Sequence, residues 1–184
     1  MNKAIFFMTV LLSTSLVACG GDDNNVNNSG GFDLGEISVT VSGDMEGNFS
    51  GMADFDHLAT GNIETWEISG HDYDPQSFSI SFMDMVIGGS ADRPLPATHS
   101  IGGVLADYTA GFEYFPDPGN YFEYIEYSTI FGSNPTSGTL TVTSSNENTV
   151  KGSFEFTAYR VDDNLNIVGT VQVSGEFTAN KRIN

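Results

Sequence analysis

Cysteine is almost missing: the chain holds one, Cys19, in 184 residues. No disulfide can therefore form within the chain, and stability has to come from packing and backbone pairing rather than covalent staples. Base is nearly missing too, with 6 Lys and Arg against 24 Asp and Glu and a formal net charge of −18. Between residues 22 and 150 the only Lys or Arg is Arg93. Such a field repels polyphosphate, which excludes nucleic acid as a partner. It also excludes docking to an anionic membrane through a basic patch. The acidity reads first as a device for solubility and secondly as an attraction for cations.

Catalytic signatures are absent as well. There is no G-x-S-x-G elbow, no P-loop and no G-x-G-x-x-G opening a helix. His57, His71 and His99 lie too far apart in sequence for a local zinc pattern. Asp162, Asn164 and Asn166 alternate like the first ligands of a calcium loop. Ile167 then stands where the sharp turn needs Gly, and Val173 where the bidentate Glu belongs. That segment reads as a polar hairpin turn. Asp72-Tyr73-Asp74 before Pro75 reads as another turn, and Asp54 and Asp56 beside His57 form a third weak acidic cluster. The expectation is a protein that is not an enzyme, with no catalytic residue and no metal site.

What is present begins at the N-terminus. MNKAIFFMTVLLSTSLVAC has a basic start, Lys3, and a mostly apolar run over residues 4–17. That run is shorter than the roughly 20 apolar residues of a membrane span and fits a secretory signal. Its end, Leu16-Val17-Ala18-Cys19, resembles the lipobox of bacterial lipoproteins. The resemblance implies cleavage between Ala18 and Cys19, a diacylglycerol thioether on the Cys19 sulfur and an N-acyl chain on the new amine. No other cofactor is expected. Each buried methylene contributes about 0.8 kcal/mol, and one chain anchors only marginally, so two or three chains on one residue hold durably. The implied partner is a membrane, reached through the anchor and not spanned. Gly20 rather than Asp after the cysteine implies the outer membrane by analogy with Gram-negative lipoproteins. Asp22 and Asp23 resemble the acidic surface-export signals of some bacteria, so the protein is expected to face either periplasm or cell surface.

Removal of residues 1–18, which carry Lys3 and no acid, takes the net charge from −18 to −19 and leaves enough chain for one domain. The expected organisation is a signal peptide over 1–18, the lipidated cysteine with a flexible Gly/Asn/Asp tether over 19–31, and a single β-domain over 32–184. Residues 20–31 span roughly 20 Å on average and at most about 40 Å.

From Glu36 onward the period is two. Ile37, Val39 and Val41 alternate with Ser38, Thr40 and Ser42; Phe78, Ile80 and Phe82 with Ser79 and Ser81; Phe154, Phe156 and Ala158 with Glu155 and Thr157. The longest inward row is expected to be Ile167, Gly169, Val171, Val173, Gly175, Phe177 and Ala179. One packed and one wet face is the signature of antiparallel sheets, and no helical stripe occurs. The spacing predicts about nine or ten strands, near 36–42, 46–55, 62–71, 76–84, 97–102, 106–116, 121–131, 137–145, 149–161 and 166–179. The fold class is all-β: an antiparallel meander closed into a barrel or folded into a sandwich.

The trio Gly47-Asn48-Phe49, Gly152-Ser153-Phe154 and Gly175-Glu176-Phe177 shares a G-x-F pattern at irregular spacing, read as similar strand solutions rather than a tandem repeat. Residues 137–179, SGTLTVTSSNENTVKGSFEFTAYRVDDNLNIVGTVQVSGEFTA, resemble the C-terminal half of an uncharacterised all-β lipoprotein domain family. That resemblance implies an all-β fold after a lipobox and brings no activity with it.

The densest feature is GFEYFPDPGNYFEYIEY, residues 111–127, where seven aromatic side chains crowd one hairpin and Glu113, Glu123 and Glu126 interleave with them. A hairpin cannot bury every ring on one face. Cross-strand ring pairing accounts for some of them. The others, with Tyr114, Tyr121, Tyr124 and Tyr127 as the candidate binding surface, would meet a protein, a glycan or a cationic group. Small inward residues such as Gly51, Ala53, Gly169 and Gly175 leave room for either a cavity holding a small apolar ligand or the many Phe side chains. The expected role is a non-enzymatic binding or interaction module. The alternatives are a structural or adhesive surface lipoprotein using the aromatic hairpin, and an envelope hydrolase built on carboxylates.

Overall fold

The alternation is realised over most of the described residues. The computed structural model describes residues 35–60, 63–72, 76–87, 93–103, 105–118, 120, 122–132 and 136–182, with backbone only at 58–60, 63–64 and 85–87. The expected signal peptide with Ala18, the expected lipidation site Cys19, the expected tether and Tyr121 lie outside the described residues.

Among the described residues ten strands form one sheet: β1 (Gly35–Gly43), β2 (Gly47–Thr60), β3 (Ile63–His71), β4 (Phe78–Ile87), β5 (Ala97–Gly102), β6 (Thr109–Tyr114), β7 (Ile125–Ser128), β8 (Thr136–Ser145), β9 (Thr149–Val161) and β10 (Ile167–Lys181). The only helical piece among the described residues is a 3-10 turn, Thr129–Phe131. The fold is all-β and, apart from two short contacts, antiparallel.

The pairings run round a closed circuit. From β1 they pass to β2, β3, β4 and then β6, on through β7 to β9 and β10, and back to β1. The join from β7 to β9 is one residue pair, Ser128 with Tyr159. The order is a meander except at β5 and β8. These two pair with each other, β8 lies on β9, and β5 meets the chain before β6 at Ile101–Tyr108. β1 also stops short of its neighbours, so that Asn180 and Lys181 of β10 run alongside Asp54 and Phe55 of β2.

Register follows burial, as it must where one face is packed, because a one-residue slip would turn every apolar side chain outward. Ile37, Val39 and Val41 of β1 meet the inward residues of β10, and Trp66 and Ile68 of β3 lie on the same side as Phe55, Phe78, Ile80 and Phe82. Phe82 is the hub of an aromatic cluster, with ring centroids 4.9 Å from Phe154, 5.9 Å from Phe156 and 6.4 Å from Phe177.

Three expectations shift. The inward row of β10 begins at Gly169, because the register slips between Ile167 and Gly169 and leaves Ile167 half exposed. The strand expected over 121–131 contracts to Ile125–Ser128, and the one over 106–116 to Thr109–Tyr114. Pro116 and Pro118 lie between them, and proline offers no N–H to a ladder.

The turns use polar side chains. Gly43 takes φ +115° to leave β1. The Asp162 carboxylate accepts the N–H groups of Asn164 and Asn166 and the Asn166 amide Nδ2, with Leu165 in the left-handed region at φ +63°. The oxygens that would begin a calcium loop are thus engaged in closing the β9–β10 hairpin.

Candidate functional site

The aromatic segment divides its rings between interior and surface. In the β6–β7 register Phe112 faces Tyr127, Glu113 faces Glu126 and Tyr114 faces Ile125. Phe112 and Tyr127 point inward and are buried. Tyr127 is therefore not available to a surface ligand, a correction to the expected binding set that follows from its pairing with Phe112. Tyr114 packs at the edge of the core, its ring 6.2 Å from Phe49. Of the four expected tyrosines, Tyr124 is the one described on the surface, 49% exposed. Phe122, which the binding set omits, is 95% exposed.

Tyr124 does not hang free. Its ring packs on that of the buried Phe115 at 5.9 Å. Burial raises its hydroxyl pKa, and the charges of Glu113 and Glu126 raise it further. Glu113 is half-buried between β4 and β7, next to Ser79 in the register. Burial pushes its carboxyl upward, the Ser79 hydroxyl donates to it and pulls back down, and Glu126 adds to the rise. The outer face of this hairpin is thus a directly opposed carboxylate pair adjoining a braced tyrosine ring.

The other acidic clusters have internal roles. Arg182 holds Asp54, Nη2 to Oδ1 at 2.6 Å, and lies 3.8 Å from Asp56. Asp56 Oδ1 accepts the N–H of His57, whose ring lies tilted against that of Trp66 at 4.7 Å. Asp72 accepts the N–H groups of Ser77 and Phe78 and the Ser77 hydroxyl, closing the β3–β4 connection. Asp107 accepts from the Ser100 N–H and hydroxyl, which lowers its pKa. His99 places its ring edge on Tyr108 and its Nε2 3.2 Å from the Leu95 carbonyl. Among the described residues no three His, Cys, Asp or Glu side chains gather as a metal site.

Two grooves cross the outer face at right angles to the strands. The larger, about 770 Å³, has as its floor the backbone of the row Gly51, Ile37, Phe177 and Gly152. One wall carries Ser50, Ser38, Glu176 and Ser153, and the other Glu36, Thr178 and Lys151. The second, about 410 Å³, runs beside it over Gly175 and Phe154 and shares the ridge of Ser153 and Glu176. Ridges two residues apart along a strand are about 6.6 Å apart, so short Ser and Thr side chains leave the pleat open between them. The grooves offer hydroxyls, carboxylates and one ammonium, and no ring to stack on.

The chain matches no known family model, curated protein or solved structure.

Proposed function

We propose that this protein is a lipid-anchored component of the bacterial cell envelope whose β-domain is a non-enzymatic interaction module working through its outer surface. The Leu16-Val17-Ala18-Cys19 sequence supports the anchor, with the diacylglycerol and N-acyl groups on Cys19 and the outer membrane as its location. The observation that carries the surface reading is the packing of rings in the core. Phe82, Phe154, Phe156 and Phe177 pack against one another inside, and both described grooves lie on the outer face. This favours contact with a protein or a glycan over enclosure of a small apolar molecule. A structural or adhesive role is the second reading, favoured by the outward-facing Phe122.

The test uses the full chain in its host. Radiolabelled palmitate enters the wild type and not Cys19→Ala; labelling of the mutant overturns the anchor. A photo-crosslinking residue at Ser153 or Phe122 captures envelope components, and one at buried Val171 does not. Capture through Val171 alone, or a small apolar molecule retained in the purified core, overturns the surface reading.

A further inference from the structure

Phe122 is the most exposed of the large apolar side chains described, and Tyr124, two residues on, is half exposed and braced from beneath by Phe115. An aromatic ring held open to water is unused contact area. Close enough to the Tyr124 ring for their charges to act on it stand Glu113 and Glu126, directly opposite each other on β6 and β7. Like charges so placed destabilise a sheet, and no Lys or Arg stands on β4, β6 or β7, the strands that carry and flank the pair. Glu123 and Asp117 add to the same sign on the same loop.

We propose that Phe122, Tyr124, Glu113 and Glu126 form a docking surface for an arginine-bearing segment of a protein partner. Charge complementarity here has a directional component. A guanidinium is planar: one face stacks on the Tyr124 ring while its forked N–H groups reach paired carboxylates. An ammonium can meet the charge but cannot stack as a plane. A sugar could stack on the rings but has no charge to balance the opposed glutamates, and an anionic lipid surface is repelled by them. The partner's apolar side chains lie on Phe122. This inference rests on the interaction-module reading and names the partner's chemistry.

The test is fluorescence anisotropy of a labelled Arg-Gly repeat peptide against the full chain in detergent at physiological salt. Tyr124→Ser, Phe122→Ser and Glu126→Gln each weaken binding, the first and last by roughly tenfold. Tyr124→Phe, which keeps the ring, stays within about twofold, and a Lys-Gly peptide binds more weakly than the Arg-Gly one. Phe122 is too exposed for its replacement to unfold the chain, and circular dichroism checks the others. Glu155→Gln, the same charge change on the exposed outer face of β9, leaves binding unaltered. Equal loss with Glu155→Gln and Glu126→Gln, equal affinity for the two peptides, or no binding overturns the docking surface. If partners are still captured through Ser153 in cells, the interaction-module reading survives that failure.

Discussion

Gly175 stands directly opposite Phe154 in the β9–β10 ladder, and a methyl group on it would run into the Phe154 ring and the Ser38 carbonyl. The arrangement is reciprocal. Gly152 stands opposite Phe177, and its missing methyl leaves room for that ring and for the Thr141 carbonyl. The two rings then stack on each other, 6.4 Å apart and 29° from parallel. Each glycine vacates the space its partner's phenylalanine fills. Gly175→Ala is accordingly expected to destabilise the domain by about 3 kcal/mol, the upper end for an overpacked core, since backbone carbonyls cannot step aside. Gly103→Ala, with open space around it, stays within about 0.5 kcal/mol. Urea midpoints of the two variants check the contrast, and equal midpoints refute it.

That reciprocity explains two of the three G-x-F echoes, which periodicity alone reads as similar strand solutions. The third, Gly47, lies against the ring of its own Phe49. Strand positions and most faces in β8, β9 and β10 were legible because those strands are long, alternate apart from the slips near Val142 and Ile167, and meet through short turns. The aromatic hairpin was less so. Its connection runs from Phe115 to Tyr124, too long for a tight turn to set the register. Only the pairing of Phe112 with Tyr127 decides that Tyr127 goes inside and Glu126 outside. The Arg182–Asp54 pair, 128 residues apart, left no local sign at all.

Arg182 is the clasp of the C-terminal strand. Its N–H donates to the Phe55 carbonyl at 2.9 Å, and its guanidinium covers Asp54, which is 6% exposed. Arg182→Ala leaves a buried carboxylate without its cation. Because the arginine side chain is itself 40% exposed, the loss is set below that of a fully buried pair, at about 2 kcal/mol. That corresponds to a Tm lower by roughly 4–8 °C. Adding Asp54→Asn removes the stranded charge and recovers part of the loss; a double variant no more stable than Arg182→Ala contradicts the account.

Two groups give opposite responses to acid. Burial lowers the pKa of His71, with Arg182 adding to the effect and Asp54 and Asp72 opposing it. The unfolded chain therefore takes up this proton first, and stability shrinks as pH drops through about 6.5. His71→Gln flattens the stability profile between about pH 7.5 and pH 5. Glu113 is the reverse case: burial raises its pKa, so the folded chain holds the proton longer and its contribution fades as pH rises through the folded value. Glu113→Gln is expected to stabilise by up to about 1 kcal/mol at neutral pH by relieving the opposition to Glu126. The gain disappears near pH 3.5, where the native carboxyl is already neutral. Urea unfolding across this range separates the two, and a gain of equal size at both ends contradicts the carboxylate pair as its source.

Thr129 joins three elements through one hydroxyl. It is fully buried, donates to the Gly102 carbonyl at 2.6 Å and accepts the Ala110 N–H at 3.0 Å. The end of β5 and the start of β6 are thereby held together just beyond the Ile101–Tyr108 contact. Thr129→Val keeps the shape and removes the hydroxyl, leaving a buried carbonyl and a buried N–H to find other partners. Each unsatisfied group costs about 1–3 kcal/mol, and partial relaxation places the sum at about 3 kcal/mol. Thr129→Ser, which keeps the oxygen, loses less than half of that. Amide exchange locates the effect: the Ala110 N–H exchanges faster in Thr129→Val than in the wild type, while the β9–β10 ladder is slowed or hastened only with global stability. Unchanged protection at Ala110 would show that the hydroxyl does not hold this junction.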